Sequence, residues 1–251
     1  MSRVKIGQPV EIGRKPRGIL VVIEGMDGVG KSTLTTALEE ALIAQGIPVH
    51  RTREPTNGPF GTMLRERQAS GIRYTPWEEY WLFMLDRAEH GREIRQHLVQ
   101  GSVVLSDRYW HSTWVYQVPR MMEPQSLSEL LEQEVLSEVL RQTTCTDTKW
   151  DATYERRDIL VKEAAKITPV PDLLFILDLS VEKAQKRILE SRGALDVFET
   201  EELLTQYRAD YQCLAAKQGG ILMCADRPID VLEEKVRKRV LSLRDSSIAA
   251  L

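Results

Sequence analysis

The chain has 251 residues, 42% of them hydrophobic, and a formal net charge of −3 from 34 Lys+Arg against 37 Asp+Glu. That length suits one large α/β domain or two small ones, with a single domain expected and enough apolar material for a core, and the nearly balanced charge argues against a general nucleic-acid or membrane-surface binder, so neither is expected as a partner. Cys145, Cys213 and Cys224 are widely spaced without a C-x-x-C pair, no apolar run is long enough to span a bilayer, and the polar start lacks a signal-peptide core. Together these features imply a cytoplasmic protein without a zinc site.

Residues 1–17 read as a loose extension. The apolar run Ile19–Ile23 then predicts a buried strand, and Gly25-x-x-x-x-Gly30-Lys31-Ser32 after it is a P-loop opening a helix with Leu34, Leu38 and Leu42 on one face. In such a loop the glycines at 25, 28 and 30 let successive N–H groups converge on a phosphate at the positive end of the helix. Lys31 adds a point charge and Ser32 a magnesium ligand. A second strand, Val49–Arg53, stops at Pro55; a loop with Asn57, Gly58, Pro59 and Gly61 leads to a short helix carrying Met63, Leu64 and Arg65.

Thr75-Pro76-Trp77-Glu78 combines a threonine N-cap, a proline at the first helical position and a glutamate three residues after the cap, which predicts a long helix to about Gln100. Phe83 and Arg87, four apart, share one of its faces; by themselves they read as a core phenylalanine beside a solvated arginine, and only the residues around them change that. Val103–Leu105 predicts a short buried strand with Ser106-Asp107-Arg108-Tyr109 at its C-terminal end, the edge at which open α/β sheets bind ligands. Trp110–Gln117 reads as a loop-to-helix entry. His111, with no carboxylate or second histidine at ligand spacing, is given no catalytic role.

Residues 118–170 read as an extended helical insertion: a capped helix over 126–141, a loop, and a more charged helix over 153–166. Its apolar stripe packs on its own chain or on another subunit. Strands at Leu173–Leu177 and Ile221–Cys224, helices at Val181–Leu189, Glu201–Lys217 and Ile229–Leu243, and a mobile Ser191–Glu199 segment complete the chain. Strands alternating with helices imply a parallel sheet covered on both faces.

Taken in order with the P-loop, Arg53-Glu54-Pro55, Leu82-Phe83-x-x-Asp86-Arg87, Asp107-Arg108-Tyr109, Tyr116-Gln117 and Pro171-Asp172-Leu173 resemble the thymidylate kinase family. The resemblance spans residues 18–243 apart from the middle of the 118–170 segment. It implies a three-layer P-loop NTPase-type α/β fold: a five-stranded parallel sheet with helices on both faces and a mobile lid at about 187–199, in a single kinase domain over 18–251. It further implies a homodimer that transfers the γ-phosphoryl group of ATP to the 5′-phosphate of dTMP, giving dTDP and ADP, with Mg2+. A phosphate acceptor with a second pKa near 6 is already ionised at neutral pH, so positioning and charge neutralisation carry the catalysis.

Residue by residue, the resemblance assigns ATP to Gly25, Asp27, Gly28, Val29, Gly30, Lys31, Ser32 and Thr33. It assigns dTMP to Asp27, Glu54, Arg65, Phe83, Arg87, Arg108, Ser112, Thr113, Tyr116 and Gln117. Phe83 stacks on thymine, Arg87 donates to O4, Tyr116 crowds C2′, and Asp27 meets the 3′-hydroxyl or a magnesium-bound water. Lys31, Asp27 and Arg108 are catalytic, and Asp107 orients Arg108 or the metal's waters. The P-loop segment Met26-Asp27-Gly28-Val29 lacks the arginine some members carry there, which sends that role to the lid: Arg192 first, Arg187 second. Glu199 resembles a lid carboxylate. Thr56-Asn57 and Val118-Pro119-Arg120 stand where the family pattern is glycine-rich, and these departures bear on base selectivity. The alternatives are a broader (d)NMP kinase, a deoxynucleoside kinase with Glu54 as base, and a non-catalytic nucleotide-binding module.

Overall fold

The computed structural model describes residues 17–71, 74–122 and 166–249. The helix expected over 126–141, nearly all of that over 153–166, and the extension before Arg17 lie outside them. Strands β1 (Ile19–Glu24), β2 (Val49–Arg53), β3 (Val103–Asp107), β4 (Leu173–Asp178) and β5 (Ile221–Cys224) form one all-parallel sheet in the order β2-β3-β1-β4-β5. Helices α1 (Lys31–Ile43), α2 (Pro59–Ala69), α3 (Pro76–Val99), α4 (Trp110–Met122), α5 (Val181–Arg192), α6 (Glu201–Gln218) and α7 (Ile229–Ala249) surround it. The fold is the P-loop type the sequence implies.

The central position of β1 explains its composition. All six of its residues are buried, because a strand flanked on both edges and covered on both faces has no solvent side. At the sheet edge, β2 exposes part of each residue, and its sequence VHRTR is correspondingly mixed. Helix α1 packs on α7, while α3 packs on α2 and α4, and α4 on α6.

Helix α3 starts as its sequence predicts. The Thr75 hydroxyl accepts from the Glu78 N–H at 3.3 Å, and the Glu78 carboxylate accepts from the Thr75 N–H at 2.7 Å. Strand β3 continues two residues beyond its apolar signal, since Ser106 and Asp107 pair with Val22 and Ile23 and a ladder needs only backbone groups. Helix α4 begins at Trp110, where a loop-to-helix entry is expected, and α5 runs to Arg192 before Gly193 caps it at φ +76°. Residues 187–192 of the expected lid are therefore helical. Register places Asp107 opposite both Ile23 and Arg53, so the C-terminal ends of β1, β2 and β3 form one row, and the site is built there. Among the described residues no helix is long and apolar enough to cross a membrane.

Candidate active site

The loop after β1 has a backbone closed to side chains. Gly25 has φ +138°, and a Cβ there would stand 2.6 Å from the Leu177 carbonyl oxygen; Gly28 has φ +78°, with the Ala184 carbonyl oxygen 2.5 Å away. No side chain caps α1, so the amides of its first turn remain for an anion. Lys31 Nζ donates to the Met26 carbonyl at 2.8 Å and lies 3.9 Å from Asp27 Oδ1. Burial and the nearby Arg108 charge lower its pKa to about 8. Ser32 Oγ donates to Asp107 Oδ2 at 2.5 Å. Val29 contributes backbone alone, its side chain being buried in the core. Gly28, Gly30, Lys31, Ser32 and Thr33 border a cavity of about 290 Å³ closed on its other side by Arg53, Asp107 and Arg108.

A second cavity of about 450 Å³ adjoins it, and both are lined by Asp27, Gly28, Glu54 and Arg108. Arg108 stands at the junction. Its backbone is in the left-handed region, φ +71°, held by its N–H donating to the Ile23 carbonyl at 3.0 Å and its carbonyl accepting from Ser106 Oγ at 2.7 Å. The guanidinium donates to Asp27 Oδ1 at 2.5 Å and to Ser112 Oγ at 3.1 Å, and lies 5.2 Å from the centre of the Tyr116 ring. Desolvation pushes the Asp27 carboxyl up, but the charges of Arg108 and Lys31 outweigh it and hold the group at about 2. Asp27 is therefore an anion at neutral pH, and its partner stays oriented.

Beneath this pair lies Glu24, which the sequence reading did not single out. Its buried carboxylate accepts from the Tyr109 and Ser112 N–H groups at 2.7 and 3.1 Å, and from the Ser112 and Tyr211 hydroxyls, both at 2.9 Å. It thus caps α4 from the end of β1, which is why that helix starts so soon after Arg108. Burial raises the Glu24 pKa, while the Arg108 charge and the hydrogen bonds oppose that rise.

The second cavity is floored by Phe83 and Arg87, with Tyr116 and Gln117 also lining it. Arg87 Nε donates to Glu54 Oε2 at 2.7 Å, and the Arg87 guanidinium carbon lies 5.3 Å from the centre of the Phe83 ring. Its two terminal nitrogens are buried without a hydrogen-bond partner. Glu54 is in turn fixed by His90, whose Nδ1 lies 3.1 Å from Glu54 Oε1 and whose Nε2 lies 2.9 Å from Thr52 Oγ1. Burial raises the Glu54 pKa, but Arg87 and His90 outweigh it and the net shift is downward. His90 is a second residue the sequence reading missed. Thr113 is buried behind the cavity wall, and its hydroxyl makes no hydrogen bond.

On α2, Arg65 donates to the Pro55 carbonyl at 2.8 Å, and Arg67, over the Tyr74 ring at 4.6 Å, lines the cavity instead. Two residues along a helix is a rotation of about 200°, so the two arginines face different ways. At the end of α5, Arg192 lines the cavity and pairs with Glu199, whose second oxygen accepts from the Asp196 N–H at 2.7 Å. Arg187 lines neither described cavity; it donates to the carbonyls of Val29 at 3.4 Å and Ala225 at 3.2 Å. Arg120 of α4 is bonded to Glu79 of α3 at 2.7 Å and lies 4.5 Å from the Phe198 ring centre. His111 is buried and stacked on Trp110 with centroids 3.6 Å apart; burial and Arg87 lower its pKa to about 3, so it is uncharged.

Residues 23–138 match the model of a family described as thymidylate kinase. Among curated proteins, the thymidylate kinase of Xanthomonas euvesicatoria pv. vesicatoria is 34% identical over 80% of this chain and 74% of its own length. That of Brachyspira hyodysenteriae is 34% identical over 76% and 77%, and that of Xanthomonas campestris pv. campestris (strain B100) 33% over 92% and 86%. With this similarity, and with a phosphate-binding loop joined through one arginine to a second cavity, the chain belongs to the thymidylate kinase family.

Proposed function

We propose that the chain is an ATP-dependent thymidylate kinase, transferring the γ-phosphoryl group of ATP to dTMP to give dTDP and ADP. The observation that carries this reading is Arg108, standing between a cavity at the start of α1 and one floored by Phe83 and Arg87. In this assignment the loop amides, Lys31, Ser32 and Thr33 hold the ATP phosphates. Arg108 faces both the transferring group and the acceptor phosphate, with Asp27 fixing its direction, so the geometry neutralises charge where it develops. Phe83 offers a ring to the thymine face, and the unpartnered Arg87 nitrogens donate to its carbonyl. Arg192 is the arginine that leaves Glu199 for the phosphates when nucleotide is bound, and Arg67 joins Arg65 as a candidate cation on the acceptor side.

The oxygens of Ser32 and Asp107, 2.5 Å apart at the donor cavity, are the hard donor set that Mg2+ prefers, and no histidine or cysteine lines that cavity. These two residues would hold the ion directly or through water, and its charge would offset that of the ATP phosphate oxygens. A homodimer is supported by α3, where Trp77, Trp81 and Leu85 recur every four residues and are 47%, 57% and 47% exposed, an apolar ridge that a second copy would cover. We place the enzyme in the cytoplasm, where ATP and dTMP are found and the exposed thiol of Cys224 stays reduced.

The acceptor is tested by steady-state assays with dTMP, dUMP, UMP and thymidine. dTMP is expected to give the highest kcat/KM and thymidine no turnover. Phosphorylation of thymidine but not of dTMP would overturn the reading in favour of a nucleoside kinase.

A further inference from the structure

The four histidines fall into two pairs. His90 and His111 are buried around the acceptor cavity, whereas His50 and His97 meet farther along the contact between β2 and α3. His50 precedes Arg53 by three residues, roughly 10 Å of strand at about 3.3 Å per residue. The rings of His50 and His97 are parallel to within 8°, with centroids 3.7 Å apart. Glu93, one turn before His97 on the same helix, brings Oε1 to 3.0 Å from His50 Nε2. That nitrogen is shielded from solvent, and Glu93 is its close polar neighbour, an ion-pair partner set off the direction of an aligned hydrogen bond. One donor atom from each of the three residues lies within 4.8 Å of the other two.

We infer that His50, Glu93 and His97 form a binding site for a divalent transition metal, separate from the magnesium site at Ser32. Two imidazole nitrogens and one carboxylate oxygen are the donor set of Zn2+, Co2+, Ni2+ or Cu2+, whereas Mg2+ and Ca2+ take oxygen. The spacing of Glu93 and His97 presents two ligands from one helix face, and the edge strand supplies the third. The 3.0 Å between His50 Nε2 and Glu93 Oε1 is close to the roughly 3.3 Å that separates neighbouring donors of a tetrahedral ion with bonds of about 2.0–2.1 Å. Closing the set from within 4.8 Å requires the two stacked rings to turn out of parallel, so that both in-plane lone pairs meet at one ion, and Glu93, 48% exposed, leaves a path for the ion and a fourth position for water. A bound ion would tie the edge strand to the helix that carries Phe83, Arg87 and His90. It takes no part in phosphoryl transfer.

The test is titration of the metal-free full-length chain with Co2+ in excess Mg2+, followed by Zn2+ competition. Wild type is expected to take up one equivalent of Co2+ with the visible d–d bands of a low-coordinate nitrogen–oxygen site, and to release it to Zn2+. His50→Asn combined with His97→Asn, and separately Glu93→Gln at the exposed position, should weaken binding by at least about tenfold. Both variants should keep wild-type kinase activity with Mg2+, which also reports that they are folded. Absence of stoichiometric uptake by wild type, unchanged affinity in both variants, or a thiolate charge-transfer band, which would assign the metal to cysteine, each overturns the proposal.

Discussion

Arg108 holds a left-handed backbone that costs a non-glycine residue about 1–3 kcal/mol, and a glycine there would avoid the cost. The conformation turns the chain sharply at the end of β3, so that the guanidinium points back across the sheet edge to Asp27 while its neighbours Tyr109 and Ser112 present their N–H groups to Glu24. Arg87 is held by a comparable chain, through Glu54 to His90 and Thr52. His90→Ala would remove one support of Glu54 and leave its buried oxygen short of a donor. The expected outcome is a KM for dTMP raised about tenfold with kcat changed less than about threefold, as for loss of positioning in the ground state. A collapse of kcat at unchanged KM, measured by steady-state kinetics, would contradict that role. Lys31, Ser32, Asp27 and Arg108 are legible in the sequence because each belongs to a short contiguous motif. Glu24 and His90 are not, because their partners lie 85 and 36 residues away, brought near by the pairing of β1 with β3 in one case and by the packing of α3 in the other.

The elements differ in how much of their own reason for existing they carry. Helix α3 declares its start through the Thr75–Glu78 box, and β2 and β5 match their predicted limits. The start of α4 cannot be read from its own residues, since its cap is a glutamate from another element. The end of α5 passes its last apolar residue because Gly193, with φ +76°, is the actual stop. That extension separates the two candidate arginines. Arg187, inside the helix, is fastened to the P-loop carbonyl of Val29, and Arg192, at the helix end, lines the second cavity together with Phe198 and Glu199. Arg192→Ala is therefore expected to lower kcat by about a hundredfold or more, the scale of one lost transition-state donor. Arg187→Ala should act mainly through the P-loop, raising the KM for ATP. Rapid-quench measurement of the transfer step in both variants separates the two, and a wild-type rate in Arg192→Ala would remove that residue from the chemistry.

At the scale of the molecule, alternation of strands and helices made the parallel sheet legible, but the order β2-β3-β1-β4-β5 rests on which strand pairs with which, information spread over the whole chain. The order matters for function because it sets β1 beside β3 and so Asp27 beside Arg108. The exposed ridge on α3 belongs to this scale as well. Trp81→Glu, at its most exposed tryptophan, should convert a dimer to a monomer in sedimentation velocity, while a wild-type chain that sediments as a monomer would refute the assembly. The most direct test of the account, that transfer takes place where the two cavities meet at Arg108, is Arg108→Ala assayed for turnover of dTMP and, in parallel, for affinity of a non-hydrolysable ATP analogue. Turnover should fall by about a hundredfold to a thousandfold with analogue affinity changed less than about threefold; unchanged turnover would contradict it.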